Sequence, residues 1–190
     1  MTNKFLLLTL IFLLVIKIFA ISFTNLNLFG DEAQYWLWSK DLDFGYFSKP
    51  PFLSWFIGFY SLLFGDSFIS LKILPSVVYF FVAFALYNLC RNTGINKKDS
   101  LSCSLLFLLI PAVSVSSYIL STDLFLIFFW ILSLNELIKL RQSPYFFNYV
   151  TLGIFLGLVF LSKYAAIYFI ICFILYVLID RGFRIFFKNN

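Results

Sequence analysis

Two adjacent carboxylates, Asp31 and Glu32, follow the first long apolar segment of the chain. They open a loop rich in aromatic and acidic residues that runs to Lys49, Pro50 and Pro51. Charged groups placed against a bilayer must be solvated, paired or used for chemistry. Carboxylates can accept a proton from a nucleophile, and lysine ammonium groups can bind phosphate. This loop is therefore the first place to look for a functional site.

The composition is that of a polytopic membrane protein. Hydrophobic residues make up 62% of the chain and charged residues 12%, with a mean hydropathy of +0.96; soluble domains have roughly 45–50% apolar and about 25% charged residues. The many aromatic rings are typical of lipid-facing helices and interfacial belts, and we interpret them as packing residues. Lys and Arg are scattered over short loops without a basic stripe, so no nucleic-acid partner is expected.

The residue inventory also limits the chemistry. The sequence contains no histidine, which excludes His-based general catalysis, Ser-His triads and the commonest metal sites. Cys90, Cys103 and Cys172 lie in or beside apolar segments without CxxC spacing, and we expect all three to be small buried hydrophobes. We assign no cofactor and no metal ligand, and leave a divalent metal requirement open.

Six apolar segments are long enough, or nearly so, to cross a membrane. About 20 apolar residues are needed, because a helix rises about 1.5 Å per residue and the hydrocarbon core is roughly 30 Å thick. We predict an all-α fold: a transmembrane bundle of about six spans, with interfacial helices in the first outer loop, forming one membrane-embedded domain over residues 1–190. The predicted spans are residues 5–23, 68–90, 101–119, 124–140, 146–161 and 164–179.

Residues 52–64 are apolar but short, and they lie between Pro50-Pro51 and Gly65-Asp66. This favours an interfacial or re-entrant helix over a crossing. If the segment does not span, one side of the membrane carries nine Lys or Arg and the other five. The positive-inside rule then places the N-terminus in the cytoplasm and the loop 24–49 outside. The basic side comprises Lys4, the loops 91–99 and 139–141, and the tail 181–188.

The first 20 residues have an alternative interpretation as a secretory signal with Lys4 as its charged start. Lys17 interrupts the apolar core that a signal needs, and no small-x-small cleavage site precedes the loop. An uncleaved first helix is therefore preferred. We expect a multi-pass protein of the cell inner membrane, with its site facing the periplasm or outside.

This topology brings further polar groups to the outer face. Asp123 follows Ser121 and Thr122 at the turn between the third and fourth predicted spans. Lys163 lies at the turn between the fifth and sixth, and Lys49 closes the first loop. Two carboxylates and two ammonium groups from three separate connections are therefore predicted to meet at one membrane surface.

The carboxylates also have a structural interpretation. Asp31 precedes a helical pattern with Gln34 three residues later, which is typical of the N-cap of a capping box, with Glu32 complementing the helix dipole. Asp123 could likewise cap the fourth span. A capped carboxylate is also a positioned one, so these interpretations do not exclude catalysis.

The lysines and a second acidic string have structural interpretations too. Lys49 and Lys163 could be interfacial lysines whose stems lie along apolar surface. We expect Lys17 and Lys72 to extend toward the outer headgroups, with contact to a lipid phosphate as the lesser alternative. The string Asp-Leu-Asp at 41–43 resembles a DxD metal-nucleotide motif, but the glycine two residues later favours a turn.

Two strings in the first outer loop, GDEAQYWLWS at 30–39 and GYFSKPP at 45–51, resemble the corresponding loop of the glycosyltransferase C superfamily. The closer similarity is to the branch that holds dolichyl-phosphate-mannose-protein mannosyltransferases and lipid A aminoarabinose transferases. The later strings STD at 121–123 and LSKY at 161–164 fall where that branch places a second outer Asp and a Lys-Tyr pair. The resemblance covers essentially the whole chain.

The resemblance implies a function at the outer membrane face. Members take a sugar from a polyprenyl-phosphate carrier and transfer it with inversion to an acceptor, which would be a lipid A-type glycolipid or a protein. It implies that Asp31 is the catalytic base or orients the acceptor, that Glu32 supports it, and that Asp123 is a second acidic group. The implied substrate-binding residues are Lys49 and Lys163, which would hold the donor phosphate, together with Tyr46 and Tyr164.

The chain departs from the family pattern in two ways. Lys49 stands where many members of the protein-mannosylating branch carry His, which favours a bacterial phosphate-binding variant. Family members are also usually longer, so we interpret the chain as the N-terminal part of a longer protein or a reduced half, and inactivity of the 190-residue form by itself stays open. Two alternatives remain: a non-catalytic module that binds or transports polyprenyl-phosphate lipids, and a small structural subunit.

Overall fold

A computed structural model describes residues 2–24 and 27–180, with side chains described from residue 4 onward. The predicted basic tail 181–188 lies outside the described residues. Within the described ranges all regular secondary structure is helical, without β-strands. The all-α class predicted from the sequence is therefore confirmed.

The helices follow one another with short connections. A 3-10 helix, Tyr164–Ala166, directly precedes the last α-helix. The α-helices are α1 (Thr2–Ser22), α2 (Gly30–Trp38), α3 (Phe52–Phe64), α4 (Phe68–Asn92), α5 (Lys97–Leu109), α6 (Pro111–Ser116), α7 (Thr122–Gln142), α8 (Phe146–Ser162) and α9 (Ile167–Ile179).

Two helices are long and apolar enough to cross a membrane: α1, over Lys4–Ser22, and α4. The segments Phe52–Phe64, Phe146–Ser162 and Tyr164–Ile179 are apolar but shorter. The six-span bundle is therefore supported only in part, by its helical content and by two of its spans. The short helix expected at residues 52–64 is present as α3.

The third predicted span, residues 101–119, is wrong as a single helix. Helix α5 ends at Leu109, and α6 begins at Pro111 and has only 6 residues. Proline has no backbone N–H to donate and its ring clashes with the preceding turn. Ile110 accordingly adopts a non-helical ψ of 126°, and the chain restarts as a separate short helix.

Helix α4 is the centre of the bundle. It packs against α7 on one side and against α5 and α1 on others, and α7 packs most extensively against α8. Buried leucine, valine, alanine and tyrosine side chains of α4 form the middle of the core. The first turns of α4 contact α2 through Lys72 and Glu32, and α3 through Ser70 and Tyr60.

The prediction that the cysteines are buried holds for Cys90 but is wrong for Cys103 and Cys172, which are exposed. An apolar helix in a membrane protein can direct apolar side chains to lipid as well as to the core. Apolar surroundings in the sequence therefore do not identify which face of the helix a cysteine occupies.

Candidate functional site

Asp123 and Lys163 form an ion pair, with Asp123 Oδ1 at 2.6 Å from Lys163 Nζ. Asp123 lies in the first turn of α7, and Lys163 is the C-cap residue of α8. The two helices are consecutive and packed together, so the start of α7 and the end of α8 lie side by side. Each charge also complements the dipole of its own helix. The pair is partly exposed, so it remains open to a ligand.

Tyr35 links this pair to the first loop. It is buried on α2, and burial raises the pKa of its phenol, with a further rise from the negative charges of Asp31 and Asp123. Both carboxylates therefore act on the same side chain, although they are far apart in sequence. Asp31 is exposed, and its carboxylate has no hydrogen-bond or ion-pair partner among residues 4–24 and 27–180.

Glu32 has a different environment from its neighbour. Its side chain is fully buried, and its carboxylate accepts hydrogen bonds from the backbone N–H of Phe29 at 2.7 Å and of Leu120 at 2.8 Å. Lys72 of α4 donates to the same carboxylate at 2.5 Å. Glu32 therefore ties α2 both to α4 and to the connection that precedes α7. The role of Glu32 as a support for Asp31 stays a prediction.

The expected capping box at Asp31 and Gln34 is wrong. The N-cap residue is Phe29 and the helix begins at Gly30, so Glu32 occupies the N3 position. Only the Glu32 half of a capping box forms, because the Phe29 side chain has no acceptor for a backbone N–H. Asp31 is left free of this role.

The expectation that Lys17 and Lys72 extend to the headgroups is also wrong. Lys72 is buried, pairs with Glu32 and lies 4.6 Å from the centre of the Phe29 ring. Lys17 donates to the Ser114 carbonyl at 3.3 Å and to the Ser117 hydroxyl. Both lysines lie in apolar helices, where a buried charge needs an internal partner. A lysine within an apolar segment of the sequence therefore indicates a polar contact inside the protein.

Lys49 lies at the entrance to α3. Its carbonyl accepts a hydrogen bond from the Tyr46 N–H at 3.2 Å, and its half-buried side chain has no ion-pair or hydrogen-bond partner in the described part of the chain. Phe52, three residues later, packs edge-on against Phe125 with ring centres 4.9 Å apart. The end of the first loop is thereby attached to the first turns of α7, which carry Asp123.

Tyr46 organises the loop itself. Its ring stacks on Trp38 at 4.6 Å, and its hydroxyl donates to the Trp38 carbonyl at 2.8 Å. The same hydroxyl accepts from the Asp43 N–H at 3.2 Å. Tyr164 is exposed at the start of the 3-10 helix, directly after Lys163. Its hydroxyl is therefore the more accessible of the two tyrosines expected to bind substrate.

The Asp-Leu-Asp string at 41–43 lies in a non-helical stretch, as expected for a turn. The Asp43 carbonyl accepts a hydrogen bond from Trp55 Nε1 at 2.8 Å, which fastens the loop to α3. In the described ranges no three His, Cys, Asp or Glu residues are grouped closely enough to hold a metal ion. The metal and cofactor requirements remain predictions.

An apolar groove of about 910 Å³ opens between α3, α4 and α7. Along α3 its lining residues are spaced four apart, so they share one helix face. Its α7 wall begins two residues after Asp123, at Phe125. The α3 and α7 residues that line it are Phe52, Phe56, Tyr60, Phe64, Phe125, Phe128 and Phe129.

The family of the chain is shown by a match over most of its length. The family described as dolichyl-phosphate-mannose-protein mannosyltransferase matches residues 48–190. The chain belongs to this family. The match includes Lys49, Asp123 and Lys163, whereas Asp31 and Glu32 precede it. The resemblance to the glycosyltransferase C superfamily inferred from the loop motifs is thereby confirmed.

A curated relative supports the same conclusion. The chain is 31% identical over 153 residues to the lipid A galacturonosyltransferase RgtD of Rhizobium johnstonii. The aligned residues make up 80% of this chain and 32% of the relative. The chain thus spans about a third of the length of this relative. No solved structure matches the chain.

Proposed function

We propose that the complete protein transfers a sugar, with inversion, from a polyprenyl-phosphate-linked donor to an acceptor at the outer face of the cell inner membrane. Family membership supports membrane glycosyl transfer in general, and the donor, acceptor and orientation are the proposal. One observation carries it: Asp123, which pairs with Lys163, precedes Phe125 of the groove wall by only two residues.

The groove suits the isoprenoid tail of the donor. Helix α3 has 13 residues, so its lining face is about 20 Å long at 1.5 Å per residue. Aromatic and aliphatic side chains form nearly all of the lining, with Ser67 and Ser70 at one end. A flexible apolar chain can pack against this surface as it does against lipid, so the groove can hold the tail without a hydrophobic cost. A simple interfacial anchor is the alternative role for α3.

Two lysines are available for the donor phosphate. Lys49 has an unpaired ammonium group among the described residues, and Lys163 is held by Asp123. As the bond from C1 to the phosphate oxygen breaks, negative charge accumulates on the leaving polyprenyl phosphate, and a nearby ammonium group stabilises it. Asp123 keeps Lys163 in place before the donor binds, and Tyr164 lies beside it.

Asp31 is the group best suited to activate the acceptor. In an inverting transfer, an acceptor oxygen attacks C1 opposite the leaving group, and its proton passes to a base. Asp31 is exposed and unpaired within the described ranges, so it is free to accept that proton or to orient the acceptor. The buried Glu32 beside it fixes the helix that carries it. The reaction needs no resident cofactor, since the lipid-linked sugar is a substrate.

The acceptor class is supported by the relative. RgtD is named as a lipid A galacturonosyltransferase, so a lipid A-type glycolipid is the first acceptor to test and a protein is the second. The outward orientation is supported by the charge distribution, since nine Lys or Arg fall on the predicted cytoplasmic side and five on the other. The remaining partners are membrane lipids, and no nucleic acid is expected.

The central test is Asp31→Asn in the complete protein, assayed for transfer of a radiolabelled sugar from polyprenyl phosphate to lipid A in membrane vesicles. Transfer should fall by about a hundredfold or more, because a positioned acid–base group typically contributes about 10²–10⁴ in rate. Asp41→Asn is the matched control, since it removes an exposed carboxylate in the same loop. Full transfer by Asp31→Asn would remove Asp31 from the reaction.

The groove is tested separately, with a polyprenyl phosphate that carries a photo-reactive tail. Val77→Trp fills the groove lining and should abolish crosslinking, whereas Val150→Trp introduces the same ring on α8 away from the groove. Asp31→Asn should still crosslink. If the wild-type protein transfers no sugar, and loss of both lysines blocks crosslinking while the Asp31 and Asp123 variants still crosslink, the non-catalytic lipid-binding module replaces the enzyme.

A further inference from the structure

The end of α6 and the connection to α7, together residues 114–120, are held by polar contacts from helices that are distant in sequence. From α1, Lys17 donates to the Ser114 carbonyl at 3.3 Å and to the Ser117 hydroxyl. The Ser117 hydroxyl in turn donates to the Ser114 carbonyl at 2.7 Å. The end of α6 is therefore fixed by a cation that belongs to the first helix.

Two more contacts fix the rest of this connection. Ser76 of α4 donates its hydroxyl to the Ser117 carbonyl at 2.7 Å. Glu32 of α2 accepts the Leu120 N–H at 2.8 Å, and Lys72 holds the Glu32 carboxylate from α4. Three helices thus contribute to one short stretch of backbone. Most of these bonds end on carbonyl or N–H groups, so they fix the path of the chain.

Lys17 places a positive charge within the apolar helix α1. An ammonium group within an apolar helix is unfavourable in a membrane and needs internal partners. Lys17 is half-buried and lies 4.6 Å from the centre of the Tyr118 ring, which also favours a cation. The end of α6 at Ser116 supplies the partners, because the last carbonyl groups of a helix have no intrahelical donors.

We propose that Lys17 is a positioning residue, which acts by fixing the backbone of residues 114–120 so that Asp123 keeps its place beside Lys163. Leu120 precedes Asp123 by three residues, and between them lies only the N-cap of α7 and its first residue. A shift of the connection therefore moves Asp123 directly. The expected effect of Lys17 on catalysis rests on the proposed function, in which Asp123 takes part in transfer. The expected effect of Lys17 on the backbone of residues 114–120 does not depend on that function.

The backbone arm of the test uses hydrogen–deuterium exchange of the chain in phospholipid nanodiscs. Lys17→Met keeps the length of the side chain and removes the donor, and should speed exchange across residues 114–120 by about tenfold or more, as for loss of a charge-assisted hydrogen bond. Lys17→Arg keeps a donor and should restore slow exchange. Ser22→Ala is the control, since Ser22 bonds only within α1.

A second variant tests the same stretch of backbone without changing the charge of the protein. Ser76→Ala removes the bond to the Ser117 carbonyl without placing or removing a charge in the membrane, and should also speed exchange in residues 114–120. Equal exchange in the wild-type protein and in both Lys17→Met and Ser76→Ala would overturn the proposal. So would faster exchange spread evenly over α8 and α9, because that pattern indicates general destabilisation.

The catalytic arm uses the complete protein and the transfer assay. Lys17→Met should lower kcat by about tenfold, as for a misplaced catalytic group, and should raise the KM for the lipid donor by less, because the groove and Lys49 are untouched although Lys163 is loosened. Lys17→Arg should restore kcat. Faster local exchange with unchanged kcat would overturn the positioning role. If the wild-type protein transfers no sugar, the proposed function fails while the exchange result still decides the backbone effect.

Discussion

Asp123 Oδ1 lies 2.6 Å from Lys163 Nζ, although 40 residues separate the two in sequence. Helices α7 and α8 form an antiparallel pair, so the first turn of one and the C-cap of the other share an end of the bundle. Asp123 precedes Phe125 of the groove wall by two residues, and its charge and that of Asp31 both raise the pKa of Tyr35. This contact therefore lies between the first loop and the wall of the groove.

Separating this pair should affect activity far more than stability. We expect Lys163→Met to lower transfer by about a hundredfold or more and the free energy of unfolding by about 1 kcal/mol or less, because the pair is partly exposed. Both are measured on the complete protein, by transfer assay and by unfolding in mixed micelles. Lys40→Met is the control: it breaks another exposed pair, with Asp66, neither member of which lines the groove, and its transfer should be normal. A large loss of stability in Lys163→Met would instead indicate a structural role.

The pair of Glu32 and Lys72 should behave in the opposite way. Both side chains are buried, so Lys72→Met or Glu32→Gln leaves an uncompensated group and should cost about 3–5 kcal/mol of unfolding free energy. The double variant should recover most of that loss, because the amide oxygen introduced by Glu32→Gln would still accept one N–H. Unfolding in micelles measures all three. Asp66→Asn, at an exposed pair, should cost about 1 kcal/mol or less; equal losses at the buried and exposed sites would contradict the assignment.

Tyr35 predicts a stability change at high pH. Burial, and then the charges of Asp31 and Asp123, raise the pKa of its phenol above the usual value near 10. The folded state therefore favours the neutral phenol: stability is intact below the unfolded-state pKa and falls as pH rises through the folded pKa. Unfolding of the wild-type protein and Tyr35→Phe should be compared between pH 8 and 11. The wild type should lose more stability above about pH 10, and parallel curves would refute the prediction.

Gly58 marks the closest approach of the first loop to α3. A Cβ at this position would lie 3.1 Å from the Ser39 carbonyl oxygen, whereas one at Gly157 of α8 would meet nothing within 4 Å. Both are helical glycines, so alanine gains about 1 kcal/mol of helix propensity at either position. Gly157→Ala should therefore stabilise the protein, and Gly58→Ala should stabilise it less or destabilise it. Thermal unfolding distinguishes the two, and equal gains would show that the loop moves freely away from α3.

Local features of the sequence determined most of the helices and part of the site. Apolar length predicted α1 and α4, and the flanking Pro50-Pro51 and Gly65 predicted α3 at its observed bounds. The short connection between α7 and α8 favours an antiparallel pair, which places Asp123 and Lys163 at the same end of the bundle, but only the structure shows that the two side chains form an ion pair. Each of these predictions depends only on a short segment and its neighbours along the chain, so it can be made from the sequence.

Only the tertiary structure decided which buried charges have partners. Lys72 pairs with Glu32 across 40 positions, Glu32 accepts the Leu120 N–H across 88, and Lys17 reaches Ser114 across 97. Helical pattern shows that a lysine is in an apolar helix but not which polar group faces it, because that depends on how several helices pack. The cost of burying a charge required each to find a partner, and the packing around α4 determined which one it found.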